Sequence, residues 1–193
     1  MRFSNAPLLD LRRTFRKPPH GNVRKASLLV LLRGDLQSLY GPEASIGGHV
    51  AAPLLAALGI YSGLQLLSKY WFGEALTSQR QVCEFLTAAA GLTKSDAETL
   101  LQFRNSLAHN YGLTTRRRPD QKKFSFALDT SAAEGAALVR ALGSGDYVVN
   151  LWSLKRLFVL AIGHCRIALA KDPIRLGKFQ VCIRNLGEIA VTA

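Results

Sequence analysis

The segment Leu101-Gln102-Phe103-Arg104-Asn105-Ser106-Leu107-Ala108-His109-Asn110-Tyr111-Gly112 holds an arginine and a histidine whose types and spacing could do chemistry together. An imidazole can hold and release a proton near neutral pH. A guanidinium is a planar, permanently charged fork that grips phosphate oxygens in two places. One proton carrier and one such cation suffice when the substrate brings its own nucleophile, as RNA does in its 2′-hydroxyl.

A helix from Ser95 to about Asn110 must position these groups. Ala97, Leu100, Leu101, Ala108 and Tyr111 follow the three-and-four spacing of a buried stripe, and Arg104 falls among them. A charge buried there without a partner is costly, so Arg104 must find an anion, a carboxylate or a wet groove. His109 lies about 140° round the helix from Arg104, and the two flank a ridge. Asn105 sits one turn from His109, so all three can meet a ligand over that ridge. Carbonyl dipoles of the last turn favour a protonated imidazole. The alternative is that Arg104 and His109 bridge helices or cap carbonyls within a bundle.

The run Arg104-Asn105-Ser106-Leu107-Ala108-His109-Asn110-Tyr111 resembles the R-x4-6-H signature of HEPN domains, including the polar residue after the arginine. The match is sharp over these eight residues, and residues 23 to 170 offer helices on either side. The resemblance implies a mainly α, HEPN-like helical bundle that forms a homodimer, the two motif helices lining one cleft. Many such domains are ribonucleases that use no metal. By that analogy His109 is the general base or acid, Arg104 steadies the charged transition state, and the product is a 2′,3′-cyclic phosphate. Asn105 orients the site. Some HEPN toxins with this spacing carry a tyrosine nucleotidylated by a partner enzyme, which marks Tyr111 as a regulatory position. A toxin or defence setting would bring an antitoxin partner. A second reading keeps the fold and a basic groove but cuts nothing, leaving an RNA-binding or partner-binding module.

The rest of the chain agrees with a polyanion partner. It has 193 residues, 25 lysines and arginines against 13 acids, and a formal charge of +12. That field favours nucleic acid or an anionic membrane surface. Arg116, Arg117, Arg118, Lys122 and Lys123 follow directly after Gly112, where they could grip an RNA backbone without reading bases; a solvated charged loop is the equal alternative. No metal-ligand spacing and no Gly-rich phosphate loop is found, so neither metal nor cofactor is expected. Cys83, Cys165 and Cys182 are odd in number and far apart, which suits a reducing, cytoplasmic compartment.

Length and an apolar share of 48% suggest one domain, residues 23–193, behind a basic arm at residues 1–22 that ends near Pro18-Pro19. No signal-peptide pattern begins the chain. Val50 to Leu67 could be mistaken for a membrane span, but Pro53, Tyr61, Ser62 and Gln65 make it a buried core helix, so no membrane partner is expected. Helices are expected over about Val23–Tyr40, Val50–Trp71 and Tyr147–Ala170. Capping boxes Ser78/Gln81, Ser95/Glu98 and Ser131/Glu134 predict three more, ending near Gly91, Gly112 and Gly143. Residues 112–130, with a Pro-Asp turn and alternating Phe124, Phe126 and Leu128, predict an inserted two-stranded β-ribbon. The tail from Ile174 to Ala193 leans to helix. His164, Trp71 and Trp152 are expected to pack in the core.

Overall fold

The structure, a computed structural model, describes residues 14, 25–26, 28–40, 50–74, 78–110, 113–116, 120–131, 136–186 and 189–190. The arm at 1–22, Thr14 apart, lies outside the described residues. Among them are six helices, a two-stranded pairing and a four-stranded sheet: the protein is mainly α. In chain order these are β1 (Lys25–Ala26), α1 (Leu28–Tyr40), α2 (Pro53–Phe72), α3 (Gln79–Ala90) and α4 (Lys94–Asn110). Then come β2 (Thr114–Arg116), β3 (Lys123–Asp129), β4 (Val139–Gly143), β5 (Asp146–Asn150), α5 (Leu151–Lys171), α6 (Pro173–Leu186) and β6 (Ile189–Ala190).

α2 is the axis of the helical body. Its residues Ala56, Ile60, Leu64 and Leu67 are fully buried, as a helix apolar on nearly every side must be. Pro53 opens its first turn, where the missing N–H costs nothing. Gly63 lets α5 approach closely, since a Cβ there would lie 2.5 Å from the Phe158 ring. No described helix is long and apolar enough to cross a membrane.

The Ser78/Gln81 box forms as expected: Gln81 N–H donates to Ser78 Oγ at 3.2 Å, and Ser78 N–H donates to Gln81 Oε1 at 2.8 Å. Gly91 ends α3 at φ 70°. For α4 the cap is Thr93, not Ser95. Thr93 Oγ1 accepts the Asp96 N–H at 3.1 Å and donates to Asp96 Oδ2 at 2.8 Å. The same chemistry stands two residues earlier and wins because it starts the helix sooner.

Three boundaries are corrected. α1 begins at Leu28, because Lys25 and Ala26 pair instead with Ala190 and Ile189. The helix expected between Ser131 and Gly143 is absent over its described end, where Val139–Gly143 is a strand on β5. α5 begins at Leu151, since Tyr147–Asn150 belong to β5. Valines 148 and 149 suit a pleated surface, and Gly145, at φ 93° with Lys123 O only 2.5 Å from its Cβ position, makes the hairpin turn no other residue fits. Tertiary pairing thus overrides the local helical composition. The tail is helical over Pro173–Leu186.

The strand pair after the motif helix exists, but it is half of a four-stranded sheet ordered β2-β3-β5-β4, with β3 and β5 parallel. Phe124 and Phe126 turn inward, and Phe126 meets Phe103 of α4 at 5.3 Å between ring centroids. α4 is therefore sandwiched between the helical body and the sheet.

Candidate phosphate-handling site

The buried face of α4 is Ala97, Leu100, Phe103 and Leu107, all at most 4% exposed. Leu101 is also buried, whereas Ala108 is only half-buried. Arg104 therefore stands on the flank of the stripe, not in its middle. It is half-buried, and its Nη1 donates to the Asn105 Oδ1 at 3.3 Å. No carboxylate among the described residues forms an ion pair with it. The amide of Asn105 orients the guanidinium without neutralising it.

Tyr61 of α2 stands near Arg104 and was not singled out as a site residue from the sequence. Its hydroxyl is buried and has no hydrogen-bond partner among the described residues. Burial pushes that hydroxyl far above the ordinary phenol range, Cys83 adds to the push, and the Arg104 charge opposes it. The Cys83 thiol is likewise raised, first by burial and then by Glu98 and Glu84, with Lys94 opposing. In the sequence Tyr61 was visible only as a polar interruption of an apolar run.

His109 lies in the last turn of α4, and its side chain falls outside the described residues, as do Tyr111, Arg117 and Arg118. Arg116, Lys122 and Lys123 are exposed. The register sets Arg116 directly opposite Lys123. Like charges so placed oppose strand pairing by about 0.2–1 kcal/mol, a cost that a bound anion would relieve. Lys122 Nζ stands 5.4 Å from the Phe124 ring centroid. Exposed Arg140 of β4 shares the Lys123 face, because Arg140 pairs with Val148 and Val148 with Ala127. It was hidden in the stretch expected to be helical.

His164 is corrected. It is exposed, not core, and its Nδ1 lies 2.6 Å from the Ala89 carbonyl at the end of α3. Trp152 is buried and donates from Nε1 to the Thr130 carbonyl at 3.0 Å, while Trp71 is half-buried against Phe85. All three cysteines are free thiols. Among the described residues no group of three or more histidines, cysteines or acids comes together.

No protein-family model matches the sequence, and neither a curated protein nor a solved structure matches the chain.

Proposed function

We propose that the chain is a metal-independent endoribonuclease of the HEPN type, working as a homodimer in the cytoplasm with a cleft shared by two copies of α4. The observation that carries this reading is Arg104: half-buried, held by an amide, and paired with no acid among the described residues. His109 would take the proton from the ribose 2′-hydroxyl as that oxygen attacks phosphorus. The phosphorus–5′-oxygen bond breaks, the leaving oxygen takes up the proton carried by the His109 imidazolium, and a 2′,3′-cyclic phosphate remains. Arg104 holds the charge that builds on the phosphoryl oxygens, and Asn105 fixes its plane. Arg116, Lys122 and Lys123, with Arg117 and Arg118, would track the RNA backbone. Tyr111 would serve a partner's regulatory modification, and an antitoxin would belong to a toxin setting.

The purified protein, assayed in EDTA on end-labelled single-stranded RNA, is expected to release fragments ending in a cyclic phosphate. His109→Ala should abolish cutting with little change in RNA affinity. Full activity in that variant rejects the mechanism. The opposed cations Arg116 and Lys123 also favour a second reading, a non-catalytic RNA-binding module, which predicts salt-sensitive affinity with no cleavage at any pH.

A further inference from the structure

α5 and α6 together present a face that the ribonuclease reading does not use. The large exposed aliphatic residues there fall at a strict interval of seven: Leu160 at 54% exposure, Ile167 at 48%, Ile174 at 77% and Val181 at 53%. Seven residues are two helical turns, so each pair forms one line along its own helix. Between them, at the fourth position of each heptad, stand Gly163 and Gly177, and beyond the local helix backbone and the adjoining residues nothing described lies within 4 Å of the position a Cβ would take at either. A glycine in a helix interior costs about 0.5–1 kcal/mol against alanine. No described residue fills that space, so among the described residues the notch is open to an occupant.

The charge of this face names the occupant. Neither helix contains an acidic residue, whereas Arg156, Arg166, Lys171, Lys178 and Arg184 are exposed along them. Asp172, in the corner between the helices, is paired with Arg175 at 3.6 Å. A second copy of this chain would set cations against cations. RNA has no use for four exposed aliphatic side chains. A membrane surface calls for a broad apolar face with bulky aromatics, while α6 spends its Phe179 and Cys182 on the core and offers only a thin line. A helix with its own apolar seam and acidic flanks satisfies both the notch and the cations.

We propose that the two exposed aliphatic lines, Leu160 and Ile167 on α5 and Ile174 and Val181 on α6, notched at Gly163 and Gly177, form a docking surface for an acidic amphipathic helix of a partner protein. The surface stands apart from Arg104, so its fate and that of the ribonuclease reading are read separately. The probe is a synthetic helix of three heptads with leucine at the first position, alanine at the fourth and glutamate on the flanks, titrated against the full-length protein by fluorescence anisotropy. It should bind at least tenfold more tightly than a peptide of the same composition with its leucines scattered, and the gain should shrink in high salt. Ile174→Asp with Val181→Asp should weaken it at least tenfold, Leu160→Asp with Ile167→Asp about threefold or more, and Gly177→Leu should weaken it by filling the notch. All of these sites are exposed, so circular dichroism should report unchanged folding. The proposal is overturned if the scrambled peptide binds equally well, if the α6 pair leaves affinity unchanged, or if the same variants instead abolish binding to anionic vesicles, to RNA or to a second copy.

Discussion

Lys155 and Arg104 are both cations set against apolar helix faces, and the fold treats them oppositely. Lys155 on α5 is 6% exposed, and its Nζ stands 5.0 Å from the Trp152 ring centroid and 5.6 Å from that of Tyr40. Its stem packs while aromatic faces meet its charge, an arrangement that makes a cation part of the core. Arg175 is handled the same way, 4.2 Å over the Trp71 ring and beside Asp172. Among the described residues Arg104 has neither an aromatic ring stacked on it nor an acid paired with it, and its one hydrogen-bond partner there is the amide of the next residue. Two cations of similar apparent placement thus carry different meanings. A ring-covered charge serves stability, and in the proposed function the charge held by a neutral amide is the one that meets a ligand.

The sharpest way to break this contrast is to truncate each cation in turn. Arg104→Ala should lower RNA cleavage by at least about 10²-fold while changing stability by less than about 0.5 kcal/mol. Lys155→Ala should cost about 2–4 kcal/mol of stability, from lost packing and lost ring contacts, and leave the cleavage rate of the folded protein intact. Thermal melts and single-turnover assays on both variants decide the matter. A thermally silent Lys155→Ala, or an Arg104→Ala that unfolds with its activity per folded molecule unchanged, would reverse the assignment.

A smaller effect is expected where charges repel. If Arg116 and Lys123 face one another for the sake of a phosphate backbone, replacing both by serine should lower the salt slope of RNA binding by about 0.7 per lost contact. The same double variant should stabilise the sheet by a few tenths of a kcal/mol to about 1 kcal/mol, because a like-charge cross-strand pair is gone. Anisotropy across a salt series and urea melts measure the two halves. Lower stability with an unchanged slope would mean that the pair holds the sheet and not the ligand.

How much of this was legible in the chain depended on the range of the causes. The helical body could be read because α2 is apolar on nearly every side and because the Ser78/Gln81 box and Gly91 write the limits of α3 in local chemistry. The region 131–150 could not be read so well. Its alanines favour a helix locally, yet Val139–Gly143 gains its hydrogen bonds from β5, which in turn lies parallel to β3, and no short window contains that pairing. For the same reason Arg140 fell in a stretch expected to be helical, while Arg116 and Lys123 lie on strands where a ribbon was expected. In α4 the periodicity located the stripe but misjudged its phase by one residue: Phe103 and Leu107 carry it, and Arg104 moves to the flank. Tyr61 feels the Arg104 charge from another helix, a long-range influence for which periodicity gives no signal.

The weakest expected effect concerns an acid whose charge is met, like that of Lys155, from inside the fold. Asp129 ends β3. Its Oδ1 accepts the Ser131 N–H at 2.9 Å and its Oδ2 accepts from Asn150 Nδ2 at 3.1 Å, while Asn150 Oδ1 caps α5 by accepting the Ser153 N–H at 2.9 Å. Hydrogen bonds from Ser131, first its side chain and then its backbone, with a further one from Asn150, hold the Asp129 carboxyl below the ordinary carboxylate range. The folded state therefore favours the ionised form. As pH falls, the unfolded chain binds its proton first, near an ordinary value of about 3.9. The contribution is complete above that range and is lost as pH drops through the lower folded value. Because the carboxylate is only partly shielded from water, the loss should stay within about 1 kcal/mol. Urea melts between about pH 5 and about pH 2.5 should show the wild type losing more stability than Asp129→Asn. Parallel curves for the two proteins would mean that Asp129 carries no linked charge. RNA affinity at neutral pH should be the same in both, which separates a charge satisfied within the sheet and helix junction from the Arg104 charge, which in the proposed function meets a phosphate.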